Sequence, residues 1–338
     1  DLVLTLDIDL QQQVDAILEE ELKKETTAEA AYVVMMNPKT GEILSLSGKR
    51  RDGSKISNET YGTIYNSYAM GSAVKGATVL TGFETGVISP GDVFLDAPIT
   101  IGSTTKKSWR TMGLINDLTA LERSSNVYMF HIAMKIAGYD KKKKKGFSDP
   151  EGAYETMRNY FAEFGLGVET GIDLPSEGTG YNGGVQRLGN LMDLAIGQFD
   201  TYTPLQLAQY ISTIANDGYR MQPHIMKEVR NSDHTSEESG EVIQAFEPNA
   251  LNKISMSQEY IDRVQEGLRR VMSGSQGTAA AFFSGVSYDP AGKTGTAQVW
   301  NGAGYNYNLT LVGYAPYDNP EIAMSVVVTN VGNGNSTI

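Results

Sequence analysis

Runs with strand character stand at both ends of this chain, and nearly everything between them carries helical spacing. Near the start, Ala31 to Met36 and Glu42 to Ser47 flank Asn37-Pro38-Lys39-Thr40-Gly41, which predicts a hairpin. Near the finish, Lys293 to Trp300, Leu309 to Ala315 and Ile322 to Thr329 are short β-rich runs separated by Gly, Asn, Asp and Pro. One sheet built from these five runs must bring the two ends of the chain together, so the residues between them become an insertion. The expected fold is α+β: a central, mostly antiparallel five-stranded sheet flanked by helices, with an inserted all-helical lobe. No linker-like stretch divides residues 1–338. They read as one domain with an α/β lobe of about 1–70 and 275–338 and a helical lobe of about 71–274.

The helical readings rest on spacing. The chain opens in a strand-like stretch, Leu2 to Ile8, after which Asp9 and Gln12 make a capping-box start. Leu10, Val14, Ile17, Leu18 and Leu22 then share one helical face to about Lys24. Segment 70–87 reads as helical after Gly71, and Leu118 to Ala137 as one further apolar helical stretch. Pro150 to Phe164 and Leu205 to Asn216 follow, the latter with Pro204 in its first turn. Residues 257–272 carry Ile261, Val264, Leu268 and Val271 on one face.

Composition narrows the function. Apolar residues are 40% of the total, enough for a substantial core, while 36 glycines and 18 tyrosines suit turns and an open groove. The formal net charge of −12 repels phosphate backbones, so nucleic-acid partners are not expected. The one basic run, Lys141 to Lys145, reads as a solvated loop beside Gly146 and Pro150, with an anionic wall polymer or membrane surface as the other reading. The absence of cysteine excludes disulfides, thiol nucleophiles and thiolate metal sites, and suits an extracytoplasmic bacterial protein. His131, His224 and His234 are scattered without metal-ligand spacing, so no metal is expected. His131 reads as a packing or solvated residue, which leaves a Ser-His-Asp triad unsupported. No apolar run approaches the ~18 residues that span a bilayer. The chain opens mid-pattern without an initiator Met and reads as a fragment, with an anchor upstream.

Three short motifs carry the chemistry. A serine hydroxyl becomes a nucleophile at neutral pH only beside a base, and a lysine one helical turn away can serve once burial or cationic neighbours lower its proton affinity. Ser72-Ala73-Val74-Lys75 has that spacing, at a helix start where free N–H groups favour an oxyanion. Ser103-Thr104-Thr105-Lys106 matches too, but lies in a polar, turn-like segment. Ser124-Ser125-Asn126 offers a serine that relays protons and an asparagine that holds an amide; its bland reading is a helix cap. Lys293-Thr294-Gly295-Thr296 opens a strand, and its cation, two hydroxyls and glycine suit an edge that binds an extended peptide ending in carboxylate. Lys39-Thr40-Gly41 repeats that motif inside a hairpin turn and reads as a turn.

Ser-x-x-Lys, then Ser-x-Asn, then Lys-Thr-Gly resembles the triad of penicillin-binding proteins and serine β-lactamases. The text between the motifs resembles the class B penicillin-binding proteins, Gram-positive type, including the elongation-specific ones. The matching stretches are Leu4-Thr5-Leu6-Asp7, Pro38 to Leu44, Lys75-Gly76-Ala77-Thr78, Ala120-Leu121-Glu122, Thr170 to Pro175, Gly197-Gln198, Thr203 to Ala208, and Lys293 to Gln298. The resemblance covers essentially the whole chain and implies the penicillin-binding/β-lactamase-like transpeptidase fold. It departs at Met70, where the family usually has proline before the glycine, and at Ile338, beyond which the family continues into a terminal helix packed on the sheet.

What the resemblance implies for the site is specific. Ser72 attacks the carbonyl between two terminal D-alanines of a peptidoglycan stem peptide, and Lys75 accepts its proton. Ser124 and Lys293 return a proton to the departing D-alanine. Backbone N–H groups of Ser72 and Thr296 form an oxyanion hole, while Asn126, Thr294, Gly295 and Thr296 bind substrate. A second stem peptide's amine takes the acyl group, and β-lactams are trapped on Ser72. No cofactor is implied. An anchor and pedestal upstream, the extracytoplasmic face of the cell membrane, and a membrane glycosyltransferase partner are implied with it. The rival readings are a D,D-carboxypeptidase or β-lactamase, for which Glu177 is a water-positioning candidate, and a β-lactam sensor that does not turn over.

Overall fold

The computed structural model describes residues 1–140, 143, 145–232, 240–283, 285–302 and 304–332. Strand β1 (Leu2–Leu4) leads into helix α1 (Ile8–Lys24). The helix cap is Asp7 rather than Asp9: its carboxylate accepts from the Leu10 N–H at 3.0 Å. Strands β2 (Ala30–Met36), β3 (Ile43–Asp52) and β4 (Lys55–Asn58) follow as a meander, and then the short helix α2 (Gly62–Tyr65). A 3₁₀ turn, Gly71–Val74, runs directly into α3 (Lys75–Glu84).

The middle of the chain is richer in strands than its spacing predicts. It contains β5 (Phe94–Asp96), β6 (Ile99–Ile101), β7 (Thr104–Lys106) and β8 (Gly113–Ile115) before α4 (Asp117–Glu122) and α5 (Asn126–Ile136). Helices α6 (Pro150–Glu163), α7 (Leu188–Leu194) and α8 (Pro204–Ala215) come next. Then β9 (Tyr219–Met221), β10 (Met226–Arg230), β11 (Val242–Ala245) and β12 (Ala250–Lys253) precede α9 (Gln258–Ser273) and the short α10 (Ala280–Phe283). The expected all-helical insertion is therefore corrected. Strands of three to five residues show no readable alternation, and their partners are remote: β1 pairs with β10, and β9 with β12.

The C-terminal strands β13 (Ala291–Trp300), β14 (Tyr305–Ala315) and β15 (Ile322–Val331) join the N-terminal ones in a single sheet of order β13-β14-β15-β2-β3-β4. Every neighbouring pair in it is antiparallel. The sheet has six strands, not five, because the four-residue β4 adds to the β3 edge. Strand β2 is buried on both faces. Tyr32, Val34 and Met36 point into the main core, while Ala31 and Val33 meet Val14, Leu18 and Leu22 of α1.

Helix α8 is the pillar beneath the sheet. All twelve of its residues are buried, and a capping box pairs Thr203 with Gln206 at its start. Ser325 of β15 donates to the Pro204 carbonyl at 2.7 Å, and Tyr210 donates to the Ala73 carbonyl at 3.1 Å. One helix thus ties the sheet to the Ser72 turn. Residues 141, 142 and 144 of the basic run, His234, and Ile338 lie outside the described residues. Among the described residues no helix is long and apolar enough to cross a membrane.

Candidate active site

The Ser72 turn is built by glycine contacts. Gly71 has φ +56°, and a Cβ there would lie 2.6 Å from the Thr296 carbonyl oxygen, so the turn lies flush on strand β13. Its N–H donates to Gly197 O at 2.9 Å. From the other side, a Cβ on Gly295 would lie 2.5 Å from Met70 O and 2.9 Å from Ala73 N. The close approach that glycine permits in Lys293-Thr294-Gly295 is thus made by the Ser72 turn, not left open for a ligand. Within the turn the Lys75 N–H donates to Ser72 O, which places serine and lysine one turn apart.

The second motif interrupts what reads as one helix over 118–137. Helix α4 ends in a Schellman motif: the Ser124 N–H donates to Leu121 O at 3.2 Å, and the Ser125 N–H to Ala120 O at 2.8 Å. The residue in its left-handed position is Ser124, with φ +59°, where glycine is the usual choice. Ser125 then caps α5 by accepting from Tyr128 N at 3.0 Å. The break turns both the Ser124 hydroxyl and the Asn126 amide towards Lys75.

Two amines meet at that point. Lys75 Nζ lies 2.7 Å from Asn126 Oδ1, 2.9 Å from Ser124 O and 3.2 Å from Ser124 Oγ. Lys293 Nζ, arriving from β13, lies 3.0 Å from the same Ser124 Oγ and 2.9 Å from Thr294 O. Both lysines are fully buried, at 0% exposure. Burial first, and the neighbouring Lys293 second, push the Lys75 amine well below an ordinary lysine, with the Asp96 charge pulling it partly back. Burial pushes Lys293 down to about 7. A neutral amine carries two N–H bonds and one lone pair. On Lys75 the two carbonyl-type acceptors take the hydrogens, which leaves the lone pair for a hydroxyl.

This cluster floors a cleft of about 630 Å³, lined also by Ser72, Thr294, Gly295 and Thr296. All eight motif residues, Ser72, Lys75, Ser124, Asn126, Lys293, Thr294, Gly295 and Thr296, therefore gather at one place. The Thr294 hydroxyl is taken up by Thr278 at 2.8 Å, whereas Thr296 is exposed along the free edge of the sheet.

Over residues 31–338 the sequence matches the family described as the penicillin binding protein transpeptidase domain. This chain belongs to that family. It is 50% identical to penicillin-binding protein 2A of Bacillus subtilis strain 168, across 97% of this chain and 48% of the relative. Penicillin-binding protein H of the same organism is 45% identical, across 98% and 48%. Among solved structures, penicillin-binding protein 2B from Streptococcus pneumoniae strain R6 superposes with a TM-score of 0.94 at 37% identity, covering 99% of this chain and 57% of that one. The chain spans about half the length of the curated relatives it matches.

The transpeptidase domain also places residues at the cleft that its motifs do not include. Lys106, Lys107, Trp109, Asp193, Thr278 and Gln298 line it, and Gln198 Oε1 accepts from Gln298 N at 3.2 Å. Lys106 belongs to the second Ser-x-x-Lys copy and reaches the wall as an ion pair with Asp193 at 2.6 Å. Gln198 and Gln298 lie in stretches that carry the family resemblance and the repeated motif pointed at Lys106; no local pattern marks Lys107, Trp109, Asp193 or Thr278. Glu177 takes no part in the cleft lining. Its carboxylate accepts from Thr170 N, Thr170 Oγ1 and Gly171 N at 2.6–2.9 Å, fastening its own loop. His131 stacks on Phe94 with ring centroids 4.6 Å apart, as a packing residue.

Proposed function

We propose that this domain is a serine D,D-transpeptidase that cross-links peptidoglycan stem peptides through an acyl-enzyme on Ser72. The single observation that carries the reading is the pair of buried lysine amines bridged by the Ser124 hydroxyl beneath a cleft that Ser72 lines. Burial and mutual repulsion disfavour charge on both amines, which makes a neutral amine available as a base.

In this mechanism Ser72 Oγ attacks the carbonyl between two D-alanines and Lys75 takes its proton. The tetrahedral oxyanion is met by backbone N–H groups of Ser72 and Thr296. The packing of Gly71 directly on Thr296 supports that pairing. The proton travels by Ser124, with Lys293 beside it, to the nitrogen of the departing D-alanine. Asn126 holds the substrate amide and Thr296, with Thr294, its terminal carboxylate. An amine of a second stem peptide then replaces Ser72, releasing the serine and forming the cross-link. A β-lactam follows the first half of this path and stays attached.

The rest of the assignment follows the same reading. The domain works as two lobes, about 1–70 with 275–338 and about 71–274, and the cleft collects residues from both ranges. The whole protein is anchored in the cell membrane, acts on its extracytoplasmic face and partners a membrane glycosyltransferase.

Intact-mass analysis after incubation with a penicillin tests the proposal. One penicilloyl adduct is expected on the native protein and none on a folded Ser72→Ala variant. No adduct on the native protein overturns the function, and an adduct surviving in Ser72→Ala overturns the nucleophile.

A further inference from the structure

Beneath the second motif lies a buried carboxylate that no motif includes. Asp96, the last residue of β5, is 2% exposed. Its Oδ2 accepts from Ser125 Oγ at 2.6 Å and from Ser108 Oγ at 2.7 Å. The same two hydroxyls cap α5. Ser108 Oγ accepts from the N–H groups of Asn126 and Val127, at 3.0 and 3.1 Å, and Ser125 Oγ from that of Tyr128 at 3.0 Å. The accounting closes. Each hydroxyl has one hydrogen, given to Asp96, and lone pairs that receive the first three N–H groups of the helix. A negative charge placed there also complements the helix dipole.

The clamp grips a segment with a left-handed backbone. Ser124 holds a left-handed backbone without being glycine, between a helix end fixed by Leu121 and Ala120 and a helix start fixed by Ser125. Releasing Ser125 and Ser108 would free the Ser124 hydroxyl and the Asn126 amide, the two side chains that hold Lys75. We propose that Asp96 is a positioning residue of the transpeptidase: it locks Ser124 and Asn126 onto Lys75 through Ser125 and Ser108, and its negative charge acts on the Lys75 amine.

Several charged groups stand around these amines. They are Asp96 from β5, the Lys106–Asp193 pair on the cleft wall, exposed Lys107, and Glu122 and Arg123 just before Ser124. Of these, Asp96 is the carboxylate that acts on Lys75, opposing burial and Lys293.

The inference rests on the acyl-serine reading, so its test starts from a native protein already shown to acylate. The rate constant for acylation by a fluorescent penicillin is measured against pH for the native protein, Asp96→Asn and Asp96→Ala. In Asp96→Asn the amide oxygen can accept both hydroxyls, so the clamp stays while the charge goes. Removing that charge makes Lys75 harder to protonate, so the pH–rate profile moves to lower pH, by about one unit. Asp96→Ala loses the clamp as well, and its maximal rate falls at least about tenfold below that of Asp96→Asn. A profile for Asp96→Asn that superposes on the native one after scaling overturns the charge role. Equal maximal rates in Asn and Ala overturn the clamp. Where either variant fails to fold, Ser108→Ala removes one link to the carboxylate, and native-like acylation in it overturns the clamp. Failure of the native protein itself to acylate falls on the function instead.

Discussion

The chain carries Ser-x-x-Lys twice, and the two copies come to different ends. Ser72 and Lys75 occupy one turn, and Lys75 is fully buried with a second lysine beside it. Ser103 lies in the turn between β6 and β7, after Gly102 at φ +59°, and Lys106 sits on a strand. A strand sends residues three apart to opposite faces, so this serine and lysine do not address each other. Lys106 is partly buried and has Asp193 as a counterion at 2.6 Å, whereas Lys75 meets an amide oxygen, a carbonyl and a hydroxyl. Same spacing, different surroundings: Lys106 pairs directly with a carboxylate, whereas burial and the neighbouring Lys293 push Lys75 towards the neutral amine, opposed only in part by Asp96. What separates Lys75 from Lys106 is the helical turn and the burial.

The largest expected effect tests that contrast directly. Lys75→Met should slow acylation by a β-lactam by about 10³-fold, the usual scale for losing a general base. Lys106→Met, on the wall of the same cleft, should stay within about tenfold of the native rate, since it removes one partly exposed ion pair. Time courses with a fluorescent penicillin give both numbers. Equal losses in the two variants would break the comparison.

A second test follows the missing counterion through stability. Lys293 is held at about 7 in the folded protein against 10.5 as its ordinary value. Between those values the unfolded chain binds more protons at this site, so the group's contribution to stability rises with pH. It is fully present above 10.5 and is lost as pH falls towards 7. Denaturant titrations of the native protein and Lys293→Met should therefore diverge by up to a few kcal/mol, with the native protein gaining as pH rises through that window. Parallel curves would mean that the amine is charged when folded.

Much of this arrangement was legible because it is local. The order of the three motifs, the termini closing one sheet and most of the face of α1 follow from spacing alone; the structure buries Val14, Leu18 and Leu22 but leaves Ile17 of that expected face exposed. What escaped depends on pairings across long sequence separations. The break at Ser124 was hidden because a Schellman turn announces itself by glycine, and here the left-handed position holds the serine whose hydroxyl joins two lysines. Asp96 and Ser108 were invisible for the opposite reason: nothing around them is periodic, and they meet Ser125 only through the packing of β5 and α5. The four-residue β4 and the short strands of the insertion carry too few residues for a pattern.

The Lys-Thr-Gly motif is duplicated as well, and its two glycines allow the smallest and most discriminating test. Gly41 is the hairpin copy, at φ +83°, with a Cβ lying 2.1 Å from Gln222 O. Gly295 is the strand copy, where a Cβ would lie 2.2 Å from Thr310 Oγ1 and 2.5 Å from Met70 O. Alanine is overpacked at either place and should cost about 1–3 kcal/mol of stability in both variants. The consequences for acylation should differ. At Gly295 the displaced backbone is the turn that carries Ser72, so relief of the clash moves Ser72 away from Thr296. At Gly41 relief moves the segment around Gln222, which takes no part in lining the cleft. Corrected for the folded fraction, Gly41→Ala should acylate at the native rate and Gly295→Ala well below it. A corrected rate in Gly41→Ala as low as that in Gly295→Ala would show that general loosening, not the seat of the Ser72 turn on β13, controls the reaction.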